Sequence, residues 1–101
     1  MDLDREIDRL MKRIEQKVAE PEIIFAAIKQ LAGTYFANRA PEGLGAFNHF
    51  MDMSLHRRLS GAGLAVLTND IKRRMALLQD QACEAAATAS NRRADAKVHW
   101  L

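Results

Sequence analysis

Three histidines, one cysteine and a scatter of carboxylates are the raw material from which this sequence could build a reactive site. The tightest group is His49, Asp52 and His56. On a helix Asp52 and His56 stand four apart, the spacing at which two side chains can reach one ion. His49 and His56 are separated by about 10 Å of helical rise, too far for a shared ligand. The group therefore predicts surface or partner-contact side chains rather than a metal centre. Cys83 falls among Ala82, Ala85, Ala86 and Ala87, with Glu84 beside it. A reactive thiolate needs a base or a cation nearby, so Cys83 reads as a small packing residue. A single cysteine also excludes an intrachain disulfide and a cysteine-built zinc cluster. The glycines of Gly43-Leu44-Gly45 and Gly61-Ala62-Gly63 lack the preceding strand of a phosphate-binding loop and read as turns. No acid, base, nucleophile and ligand converge, so the sequence predicts neither an enzyme nor a cofactor.

Binding chemistry is better represented. His56-Arg57-Arg58 and Lys72-Arg73-Arg74 are two basic clusters either side of a glycine-containing turn. Residues 1–53 carry seven Lys/Arg against nine Asp/Glu, and residues 54–101 carry eight against four. If the chain binds nucleic acid, Arg57, Arg58, Lys72, Arg73 and Arg74 are the side chains that would neutralise phosphates. The order of helix, turn and helix is that of a DNA reader. Such a reader, however, directs polar side chains of its second helix at base edges, and here that helix carries a sustained apolar stripe. Arg57 and Arg58 are also what a helix C-terminus attracts on electrostatic grounds alone. Most of the residues Phe25, Tyr35, Phe36, Phe47, Phe50, Met51 and Met53 belong to a core in a chain this small. Phe47 and Phe50, next to the glycine stretch, are the expected contacts with a protein partner.

The elements that must position these groups are helical. Ala, Leu, Glu, Lys, Arg, Gln and Met dominate between two prolines and five glycines, and strand formers are scarce. From Asp2 to Glu20 the residues Leu3, Ile7, Leu10 and Ile14 step by four, three and four, with charges on the other faces. That narrow stripe has the form of a coiled-coil seam, and the four residues are the expected interface of a homodimer. Pro21 ends this helix and opens the next, which runs to about Arg39 with Ile24, Phe25, Ile28, Leu31, Ala32, Tyr35 and Phe36 on its apolar face. Residues 40–45 hold a proline and two glycines and predict a loop. A third helix is expected over Ala46 to Leu59, stopped by Ser60-Gly61-Ala62-Gly63. A fourth follows from about Leu64 to Ser90, on Leu64, Leu67, Ile71, Met75, Leu78, Ala82, Ala85 and Ala89. Beyond Asn91 the pattern is lost, and residues 91–101 are expected to fray.

The chain is thus expected to be all-α, a small helical bundle or helical hairpin with coiled-coil-like long helices, one domain over residues 1–90. At 101 residues, 49% hydrophobic and 28% charged, it has the composition of a globular domain. Its apolar runs are too short and too often charged to cross a bilayer, and no secretory signal opens it, so a cytoplasmic protein is expected. The predicted function is a non-enzymatic protein–protein interaction module, an adaptor, chaperone-like partner or inhibitor that acts by occupying a surface. A small nucleic-acid-binding regulator is the alternative.

Overall fold

In the computed structural model, residues 2–57 and 59–99 are described, with side chains described through residue 87. Four helices pack against one another: α1 (Leu3–Glu15), α2 (Pro21–Phe36), α3 (Pro41–Ser54) and α4 (Gly61–His99). No strand occurs among the described residues. Each helix runs antiparallel to the next, because the connections are short. Leu3 therefore lies at the same end as Phe36 and Ala82, and Ile14 at the same end as Ile23 and Leu64. Helix α4 packs on α1 and α3, α2 bridges the same pair, and α2 also touches α4 across the middle.

Helix α1 starts where Asp2 caps it, its carboxylate accepting from the backbone N–H of Asp4 and Arg5 at 3.1 and 3.4 Å. It ends at Glu15, five residues before the expected boundary at Glu20. Lys17 takes the left-handed conformation, φ 57°, with its N–H on the carbonyl of Ile14 and that of Val18 on Arg13. These two bonds satisfy carbonyls the helix end would leave open, which is how a glycine usually closes a helix. With lysine in that place the stop is invisible to a reading of residue types. One turn into α1, Arg9 donates to Glu6 at 2.8 Å and holds that carboxyl below its ordinary value.

The glycine stretch after α2 is not a loop. Pro41 occupies the first turn of α3, where its missing N–H costs nothing, and Gly43 and Gly45 lie inside the helix. A Cβ on Gly43 would run into the side chain of Gln81 and come within 2.8 Å of Leu78 Cδ2. The glycine thus serves close approach of α3 to α4. Helix α3 ends at Ser54, earlier than the expected Leu59, and the buried Ser54 hydroxyl donates to the carbonyl of Phe50 at 2.8 Å. Gly61, at φ 55°, makes the turn that opens α4 three residues before the expected start. The helix continues to His99, past Ser90. The expected fraying of residues 91–101 falls on side chains outside the described residues.

The core is one cluster. It joins Leu3, Ile7, Leu10, Met11 and Ile14 of α1 to Ile24, Phe25, Ile28, Ala32 and Phe36 of α2, Phe47 and Met51 of α3, and Leu64 to Leu78 of α4. This corrects the expectation drawn from the narrow stripe of α1. Leu3, Ile7, Leu10 and Ile14 are at most 7% exposed, covered by α2 and α4 of the same chain. A heptad-like spacing requires an apolar partner helix but does not say which chain supplies it, and here α4 does.

Candidate interaction surface

Of the two aromatics expected to meet a partner, Phe47 is 2% exposed and belongs to the core. The expectation placed it beside a loop. Because that stretch is the first turn of α3, Phe47 sits in mid-helix and faces inward. Phe50, one turn on, is half-buried on the side of α3 that meets α4. The guanidinium of Arg74 lies over its ring at 4.0 Å from the centroid, and that of Arg57 at 5.8 Å. Such contacts are electrostatic, cation against ring quadrupole, and strengthen as water is removed.

Around this sandwich lie exposed apolar side chains. Met53 is one turn beyond Phe50, and Val66 and Leu77 stand on α4 about three turns apart on one face. These three are more than half exposed, as are Val18 and Ile23 at the α1–α2 connection. Helical spacing puts Val66, Asp70, Arg73, Arg74 and Leu77 on the shoulder of α4 that adjoins Phe50 and Met53. The result is a strip of apolar side chains with guanidinium groups between them.

The basic residues expected to contact phosphate are mostly engaged within the chain. Arg57 and Arg73 converge on the Asp70 carboxylate at 3.7 and 3.4 Å, and Lys72 meets Asp8 at 2.6 Å. Arg74 is the one stacked on Phe50. Arg58 lies outside the described residues. The four described positions therefore do not form one free cationic face. Lys72 points toward α1, while Arg57 and Arg74 point toward α3.

The histidine group is dispersed in the same way. Asp52 accepts from Lys29 at 2.7 Å, which spends the carboxylate on joining α3 to α2. His49 and His56 are exposed. Among the described residues no three His, Cys, Asp or Glu side chains are grouped to hold a metal ion. Cys83, expected to pack, is exposed instead. It lies where α4 leaves the bundle, beside an open notch of 910 Å³ between α4 and the ends of α1 and α2.

No helix among the described residues is long and apolar enough to cross a membrane. Fold and surface thus define the class, an all-α four-helix bundle with a mixed apolar and cationic shoulder. Comparison with family models, with curated proteins and with solved structures finds no match for the chain.

Proposed function

We infer that this chain is a non-enzymatic interaction module, cytoplasmic, that engages another protein through the α3–α4 shoulder. The observation that carries the reading is Phe50 under Arg57 and Arg74, bordered by the exposed Met53, Val66 and Leu77. Aromatic and arginine side chains in an apolar setting are what interface hot spots are made of, because the rings bury much area and the planar guanidinium stacks on them while keeping its hydrogen-bond donors. The dispersal of His49, His56, Cys83 and the carboxylates supports a role by surface occupation, as an adaptor, a chaperone-like partner or an inhibitor. A single solvent-facing thiol fits a reducing compartment.

The nucleic-acid alternative draws less support. Phosphate contacts at Arg57, Lys72 or Arg73 would compete with Asp70 and Asp8, which already lie within ion-pair distance. A mobility-shift assay at low salt with random duplex and single-stranded DNA is expected to give no shift. The direct test compares wild type with Met53→Lys/Leu77→Lys, both recovered from the native host with and without nuclease. Both substituted positions are exposed, so folding is expected to be unchanged. A protein partner should survive nuclease and be lost from the variant, with an affinity loss of tenfold or more. Bound material that vanishes on nuclease treatment would overturn the reading in favour of the polyanion binder.

A further inference from the structure

Main-chain groups cannot hold a partner on the α3–α4 shoulder. Between Val66 and Leu77 the backbone is mid-helix, its N–H and carbonyl groups bonded along α4, so no strand can be added there. Recognition falls to the side chains. The segment that best answers side chains on a helical strip is another helix, which repeats its own apolar anchors at threes and fours. Val66 and Leu77 are about 16 Å apart along α4, a span that three turns of such a helix cover. Met53 stands across from them on α3, and all three are more than half exposed.

The charges of the strip are unbalanced. Three guanidinium groups, those of Arg57, Arg73 and Arg74, face one carboxylate, because Asp70 is the only acidic residue from 66 to 77. Its two oxygens meet one nitrogen each of Arg57 and Arg73, at 3.7 and 3.4 Å. A charge-assisted hydrogen bond is shorter, roughly 2.7–2.9 Å, so Asp70 holds neither group firmly. Arg74 rests on Phe50 with no carboxylate within ion-pair distance among the described residues. The Arg73 side chain is 74% exposed. A guanidinium carries several donors in a planar fork, and stacking on a ring leaves the edge of that fork open. A further carboxylate can therefore be taken up without displacing Asp70.

The other acidic groups nearby do not cancel this excess. Asp52 is held by Lys29 at 2.7 Å, and Asp80 and Glu84 come only beyond Leu77. Lys72 is turned away to Asp8, which confines the cations to the same strip as the apolar side chains. That interleaving suits a protein segment better than a run of phosphates.

We propose that the shoulder takes an acidic amphipathic helix of a partner protein. Its apolar residues pack on Met53, Val66 and Leu77, and carboxylates beside them accept from Arg73 and Arg74. The proposal rests on the shoulder reading above and adds to it the chemistry of the partner.

A displayed library of random peptides, each of about 16 residues and so long enough for three turns, is selected on the immobilised full chain. Each enriched sequence is then measured by fluorescence anisotropy on wild type and variants. Enriched sequences should be net negative, with large apolar residues at helical spacing and Asp or Glu between them. Their Kd should weaken at least tenfold on Met53→Lys/Leu77→Lys and on Arg73→Glu. Arg13→Glu, the same charge change at an exposed position on α1, should leave it unaltered. Exchanging one Glu of the peptide for Lys should recover much of the loss on Arg73→Glu. Circular dichroism should show equal helix content throughout, since every substituted position is exposed. Neutral or basic sequences that still need Met53 and Leu77, or acidic ones indifferent to Arg73→Glu, would overturn the acidic assignment and leave the shoulder as the binding surface. Sequences indifferent to Met53→Lys/Leu77→Lys, or no enrichment at all, would overturn the shoulder reading with it.

Discussion

The two long sides of α4 are built on different principles. Toward α1 it interlocks large aliphatic side chains, Leu10, Ile7 and Leu3 against Leu64 to Leu78, and closes the rim with one ion pair, Lys72 to Asp8. Toward α3 it relies on a glycine for close approach at one end and on guanidinium groups laid over Phe50 at the other, leaving Met53, Val66 and Leu77 in water. The first side is where the bundle gains its stability. The second gives some of that up and leaves apolar side chains exposed.

The sharpest way to break this contrast is to truncate an equivalent aliphatic group on each side. Ile7→Ala should lower the stability by about 2–5 kcal/mol, because Ile7 is fully buried and leaves a cavity. Leu77→Ala, more than half exposed, should stay within about 0.5 kcal/mol. Urea midpoints of the two variants decide it, and equal losses would mean that the shoulder is as closely packed as the α1 side.

A smaller effect is expected from the glycines of α3. Gly43→Leu should cost about 1–3 kcal/mol by forcing Leu78 and Gln81 aside. Gly45→Ala meets nothing within 4 Å and should stabilise by about 0.5–1 kcal/mol, through helix propensity alone. Thermal melts that move in the same direction for both would show that Gly43 has no packing role.

The smallest effect lies at the end of α1. Lys17→Gly should raise stability by only about a few tenths of a kcal/mol, since glycine escapes the steric cost that lysine bears in the left-handed conformation but adds freedom to the unfolded chain. An unchanged or lowered melting temperature would place the stop of α1 elsewhere, in the Pro21 turn.

Four helices and most of the core were legible from spacing. The apolar positions Leu3, Ile7, Leu10 and Ile14, and Leu64 through Leu78, recur at threes and fours and are buried as that recurrence requires. Boundaries were less legible, each for a physical reason. Lys17 does the work of a glycine, so nothing in its type marked the end of α1. Gly43 and Gly45 suggested a loop, yet Pro41 starts a helix as readily as it ends one. The surface was legible only in part. Phe50 was found beside arginines no sequence separation would pair with it, twenty-four residues away in the case of Arg74. Phe47, three residues earlier, was lost to the core.

What the sequence determined by itself is the helical class and the inward face of each helix, because both follow from contacts within one or two turns. Only the tertiary structure decided whether the α1 stripe meets its own chain or another, since an apolar seam is satisfied equally by either. It also decided which cations are engaged across the bundle, because Asp8 reaches Lys72, and Asp70 reaches Arg57, only once the helices are side by side. The exposure of Cys83 was settled in the same way, by the length of α4 relative to its neighbours, a property of the assembled bundle that the residues around Cys83 do not carry.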